Sequence, residues 1–128
     1  MSTPKVAIGV ATFYTDLAER LETSAVAALK EAGIDQIDRF EVPGAFELPV
    51  IAKYAADAGY DAVVLLGAVI RGQTSHYDHV CEEVARGIME VQLTTGVPCG
   101  FGVLTVESQE QAIARSGGGK RDSGEHAV

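Results

Sequence analysis

Short apolar runs alternate along the chain with longer stretches in which apolar residues recur every three or four positions. Lys5 to Thr12 (KVAIGVAT), Asp61 to Ile70 (DAVVLLGAVI) and Cys99 to Val106 (CGFGVLTV) are nearly continuous in apolar residues, the pattern of strands buried on both faces. Gln36 to Val42 is a further strand. Between them, Leu17, Leu21, Ala25, Ala28, Leu29 and Ala32 mark one helix, with Thr15, Asp16 and Glu19 as its cap and Gly33 as its stop. Leu48, Ile51, Ala52, Ala55 and Ala58 mark a second. Pro49 stands in its first turn and Gly59 at its end. A third helix runs from about Tyr77 to Thr95, with Val80, Cys81, Val84, Ile88 and Val91 inward, and Gly96-Val97-Pro98 stops it. Ser108 and Gln111 form a capping box for a short helix to Arg115. Ser116 to Ser123 (SGGGKRDS) reads as a basic loop, and Gly124 to Val128 as the first turn of another helix.

Strands alternating with helices define an α/β fold: a four-stranded parallel sheet with right-handed crossovers and helices on both faces. Asp61 to Ile70, the most hydrophobic run, is expected at its centre. Ligands of such open sheets bind beyond the carboxyl ends of the strands. Three segments fall there: Phe13 after the first strand, Ala45, Phe46 and Glu47 after the second, and Ala68, Val69 and Ile70 leading into Gly67–Asp78 (GAVIRGQTSHYD). That last stretch turns through Gly72 from a strand into a helix start. The unpaired N–H groups and the dipole of a helix N-terminus favour an anion. Gln73 and Thr74 lie in the loop, with Arg71 as a source of positive charge. His76 follows in the first turn, able to take or give a proton near neutral pH.

Two residues do not fit a site built from one subunit. Phe101 lies about four residues before the end of its strand, roughly 13 Å from the ligand-facing edge, and Arg115 lies at the far end of the last short helix. Either packs or is solvated within its own subunit, or it reaches a ligand held by a neighbour.

Composition narrows the function. With 128 residues, 47% of them apolar, and four prolines, one ordered domain over 1–128 is expected. No apolar run approaches the ~20 residues of a membrane span. The opening residues lead directly into the first strand, so a cytoplasmic location is expected. A formal charge of −8 argues against a general nucleic-acid binder. Cys81 and Cys99 have no metal-ligand spacing and read as small buried hydrophobes.

The segments PGAFELP (Pro43 to Pro49), GAVIRGQTSHYDHVC (Gly67 to Cys81), TTGVPCGFGVLT (Thr94 to Thr105) and EQAIARSG (Glu110 to Gly117) resemble those of the lumazine synthase family. The resemblance runs from about Lys5 to Val128. It implies a flavodoxin-like three-layer αβα sandwich, assembled into pentamers with sites between adjacent subunits. It also implies the condensation of 5-amino-6-(D-ribitylamino)uracil with 3,4-dihydroxy-2-butanone 4-phosphate to 6,7-dimethyl-8-ribityllumazine, without metal or organic cofactor. By position, Phe13 would stack on the pyrimidine, Ala45, Phe46 and Glu47 would hold ring and ribityl chain, and the backbone of Ala68, Val69 and Ile70 would meet the ring. Gln73 and Thr74 would form the phosphate loop, and His76 would be the acid/base. Phe101 and Arg115 would be the aromatic and the phosphate-binding arginine lent by the neighbouring subunit.

The chain departs from the family pattern in places. Where the family usually has Asn-Lys-Gly it reads Asp122-Ser123-Gly124. The extra N-terminal strand of many relatives is absent, and the last helix is short, which predicts an uncovered apolar area on the sheet. These departures motivate an alternative, a non-catalytic flavin- or lumazine-binding or assembly-forming relative.

Overall fold

The computed structural model describes residues 4–72, 76–116 and 123–128. Strands β1 (Lys5–Ala11), β2 (Gln36–Val42), β3 (Ala62–Ile70) and β4 (Cys99–Val106) alternate with helices α1 (Thr15–Glu31), α2 (Leu48–Asp57), α3 (His76–Thr95), α4 (Gln109–Ala114) and α5 (Ser123–His126). A single 3₁₀ turn, Ala45–Glu47, leads into α2. All strand pairs are parallel, in the order β2-β1-β3-β4.

Strand alternation sends residues to two cores. Val6, Ile8 and Val10 of β1 and Val64 and Leu66 of β3 pack against Leu17, Leu21 and Leu29 of α1, with Ala112 of α4 and Ala127 beyond α5. Ala7 and Ala11 of β1 and Val63, Leu65 and Val69 of β3 face Leu48, Ala52 and Ala55 of α2 and Val80, Val84, Ile88 and Val91 of α3. This is the three-layer αβα arrangement with β1 and β3 central. The edge strand β2 is mostly exposed. Its charged residues Asp38, Arg39 and Glu41 suit an edge that must not pair with other chains.

Helix ends follow sequence chemistry at the C-terminal side and depart from it at the N-terminal side. At the end of α1 the Gly33 N–H donates to the Lys30 carbonyl (3.0 Å) and the Ile34 N–H to the Leu29 carbonyl (2.9 Å). Gly33 has φ +84°, the left-handed conformation this stop requires. The expected capping box at Thr15 and Asp16 does not form. Tyr14 is the N-cap and receives no side-chain bond. The Thr15 hydroxyl instead donates to the Thr12 carbonyl (3.4 Å), which leaves it no cap geometry. At α4 the box forms with a shift. Ser108 Oγ accepts from the Gln111 N–H (3.3 Å), while Gln111 Oε1 accepts from the N–H of Glu107, one residue earlier than the usual partner.

The C-terminal segment is seated by close backbone approach. A Cβ on Gly100 would overlap the Ala127 carbonyl, and one on Gly124 would overlap the Leu21 carbonyl. Ala127 is buried by this docking. A groove of ≈ 260 Å³ remains beside Val128, lined in part by Val6, Val64 and Cys99.

Candidate functional site

A cleft of ≈ 340 Å³ opens at the carboxyl ends of β1 and β3. These neighbours send their following connections in opposite directions, β1 outward to β2 and β3 outward to β4. The crevice between them is the switch point where such sheets hold ligands.

Three segments wall it. Phe13 and Tyr14 form the turn after β1, their rings edge-to-face at 4.8 Å. Gly44, Ala45, Phe46 and Glu47 come from the 3₁₀ turn, which the Glu47 N–H closes onto the Gly44 carbonyl (3.2 Å). Ala68, Val69 and Ile70, then Gly72, His76, Tyr77 and Val80, come from the end of β3 and the start of α3. Phe13 is 74% exposed and Phe46 56%. Large rings left open at a cleft mouth are unfavourable in water unless something covers them, so they mark the faces a flat, partly apolar ligand would occupy.

The structure thus brings together Phe13, Ala45, Phe46, Glu47, Ala68, Val69, Ile70 and His76. Gln73 and Thr74 lie outside the described residues. Phe101 and Arg115 do not line the cleft. Phe101 pairs in register with Leu65, five positions before the Ile70–Val106 pair that ends the ladder, so it sits about 17 Å along the strand rather than 13 Å. It lies between Cys99 and Val103, which face α2 and α3, and is 44% exposed on that face. Arg115 is the C-cap of α4.

Tyr14, Tyr77 and Val80 also line the cleft, although the sequence pattern named none of them as a site residue. The signal was present for two of them. Tyr77 adjoins His76, and Val80 is four residues on, the spacing that shares a helix face. Burial pushes the Tyr77 phenol above its ordinary range, with the neighbouring Cys81 adding to the shift. Burial likewise raises the Cys81 thiol. Both stay protonated at neutral pH, which makes Tyr77 a hydroxyl donor beside the cleft and Cys81 a poor nucleophile.

Arg71 behaves differently from its expectation as an anion ligand. Its Nε lies 2.7 Å from Glu107 Oε2, its Nη2 lies 3.2 Å from Asp78 Oδ1, and its guanidinium stacks 4.4 Å from the Tyr77 ring centre. Two carboxylates neutralise it, and it is absent from the cleft lining. It fastens the mouth of the site rather than filling it.

An apolar cleft at the switch point of a parallel sheet, with exposed rings, one carboxylate and a histidine at a helix start, defines an enzyme-type site for a flat small molecule with polar appendages. Comparison with known proteins makes the assignment specific. The family model described as 6,7-dimethyl-8-ribityllumazine synthase matches residues 3–128. Relatives of that name from Streptomyces coelicolor and Streptomyces avermitilis are each 48% identical over 126 residues, covering 97% of this chain and 78% of theirs. One from Kineococcus radiotolerans is 47% identical over the same coverage. The chain belongs to the 6,7-dimethyl-8-ribityllumazine synthase family, a family of transferases acting on small molecules. No helix among the described residues is long and apolar enough to cross a membrane.

Proposed function

We infer that the chain catalyses the last assembly of the lumazine ring in riboflavin biosynthesis: 5-amino-6-(D-ribitylamino)uracil and 3,4-dihydroxy-2-butanone 4-phosphate give 6,7-dimethyl-8-ribityllumazine, phosphate and water. The observation that carries this reading is the meeting of Phe13, Ala45–Glu47, Ala68–Ile70 and His76 in one cleft, in a chain that belongs to this family.

In this reading the pyrimidine stacks on Phe13 and runs along the backbone of Ala68, Val69 and Ile70. Strand-end amides there are suited to the ring's alternating donors and acceptors. The ribityl hydroxyls lie toward Phe46 and Glu47, whose carboxylate accepts their hydrogen bonds. The amine of one substrate attacks the ketone carbonyl of the other. His76 carries protons between amine and carbonyl oxygen as water leaves to form the imine. Phosphate then departs, and ring closure with loss of a second water completes the product. Gln73, Thr74 and the start of α3 receive the phosphate, as donors placed where the leaving anion grows. Fixing two substrates in one cleft supplies much of the remaining acceleration.

Phe101 and Arg115 complete the site from a neighbouring subunit in a ring of five. Support comes from their position away from the chain's own cleft, together with the exposure of Phe101. A monomer is then inactive. In this reading the reaction is cytoplasmic and involves no nucleic acid. Mixing the assembled protein with both substrates and following lumazine absorbance is the direct test. A rate no greater than the spontaneous reaction rejects the assignment.

A further inference from the structure

Among the described residues, Ser116 is the polar side chain the fold buries completely. Burying a hydroxyl is costly unless it is bonded. Its Oγ accepts from Arg20 Nε of α1 (2.8 Å) and donates to the Ile113 carbonyl (3.1 Å). Arg20 Nη2 donates to that same carbonyl (3.2 Å), as does the Ser116 N–H (3.2 Å). One guanidinium therefore grips both the last turn of α4, at Ile113, and Ser116 two residues past the helix end.

The residue enclosed by this grip is Arg115. Its N–H donates to the Ala112 carbonyl (3.2 Å), and its own carbonyl accepts from the Ser123 N–H of α5 (2.8 Å). α4 spans only Gln109–Ala114, too short to hold its own end rigid. A forked cation at a helix C-terminus satisfies carbonyls that have no partner within the helix and complements the dipole. The backbone direction at Arg115 is thus set from α1, by a residue remote from it in sequence.

We propose that Arg20 is a positioning residue: through Ser116 and the Ile113 carbonyl it fixes the backbone from which Arg115 projects, and so sets the affinity of the phosphate position that Arg115 serves. This rests on the reading of Arg115 given above. Arg20 itself touches no substrate. The ligand class concerned is a phosphate monoester, with inorganic phosphate as its simplest member.

The experiment compares Arg20→Ala, Arg20→Lys, Ser116→Ala and Arg115→Ala in the assembled full chain. Two readouts are taken: KM for each substrate, and the rise in Tm given by inorganic phosphate. Arg20→Ala is expected to raise KM for the phosphate substrate by about tenfold, while KM for the pyrimidine stays within about twofold. It also loses most of the phosphate-induced rise in Tm. Arg20→Lys, which keeps the charge and loses the fork, falls between. Arg20→Ala combined with Arg115→Ala is no worse than Arg115→Ala alone. A role confined to stability predicts instead a lower Tm with equal effects on both KM values, and that result overturns the proposal. If the wild-type chain turns over and Arg115→Ala weakens phosphate while Arg20→Ala does not, the proposal alone fails. If the wild type shows neither turnover nor a response to phosphate, the proposal fails together with the reading beneath it. The phosphate readout carries the test where turnover is absent and the response to phosphate persists.

Discussion

Arg71 Nε and Glu107 Oε2 stand 2.7 Å apart and join the carboxyl ends of β3 and β4. The same guanidinium reaches Asp78 in the first turn of α3. Each partner is substantially exposed, and exposed ion pairs contribute only about 0–1 kcal/mol. Glu107→Gln should therefore lower stability by less than about 1 kcal/mol in urea denaturation. Because the charge of Arg71 is already engaged, Arg71→Met should weaken the phosphate substrate far less than Arg115→Ala. Equal losses of phosphate affinity in the two variants would show that Arg71 leaves its carboxylates for the ligand.

His76 opens α3 at the edge of the cleft. If it carries the protons of imine formation, His76→Ala should reduce kcat by about tenfold or more, with a smaller change in either KM. Phe13→Ala should do the reverse, raising the pyrimidine KM through lost ring stacking worth about 1 kcal/mol. Steady-state kinetics on both substrates separate the two. Identical patterns in the two variants would contradict the division of roles.

Sharing of sites between subunits has a direct complementation test. His76→Ala and Arg115→Ala proteins are each unfolded, mixed in equal amounts and reassembled together. Sites that draw an intact histidine from one subunit and an intact arginine from the next then reappear in about a quarter of cases by random mixing. Recovery of activity toward that fraction supports lending across the interface. No recovery, in assemblies whose mixed mass is verified, places both residues in one subunit's site.

Burial pushes the Cys99 thiol above its ordinary value. The folded chain then holds this proton to higher pH than the unfolded chain does. The contribution to stability is complete below the ordinary thiol pKa and is lost as pH rises through the folded value. The slope from one thiol is at most about 1.4 kcal/mol per pH unit. Urea midpoints measured from pH 7 to pH 10 should fall more steeply for the wild type than for Cys99→Ala. Parallel curves would mean that the thiol titrates normally.

Gly100 faces the Ala127 carbonyl with no room for a Cβ. Gly100→Ala should cost about 1–3 kcal/mol by displacing the C-terminal segment. Hydrogen exchange should show the loss first at the backbone of Ala127, with β1 and β3 retaining protection. Uniform loss of protection would mean that the docking is integral to the whole fold.

Strands and helix stops were legible in the sequence because they depend on local pattern. Val6 to Val10 and Val63 to Leu66 announce burial on two faces by composition alone, and Gly33 and Gly59 stop helices through their own backbone freedom. The site was legible wherever strand ends carried it. Phe13, Phe46 and His76 needed only the rule that ligands sit at carboxyl ends. What escaped depends on side-chain competition or distant partners. Thr15 prefers the Thr12 carbonyl to a capping role, Arg71 finds Glu107 across two strands, and Gly100 and Gly124 matter only because α5 returns to them. Tyr14 shares the turn after β1 with Phe13 and also lines the cleft.

The sheet order also dictates when the parts come into being. β1 pairs with β3, Val6 opposite Ala62, so a chain growing from its N-terminus leaves the cleft open on one side until β3 has been made. The start of α3 then closes it. Phe101 and Arg115 follow later still. In the proposed assembly, each subunit on a ribosome would finish shaping what it keeps before it synthesises what it lends, and competence would arrive only when separately completed chains meet.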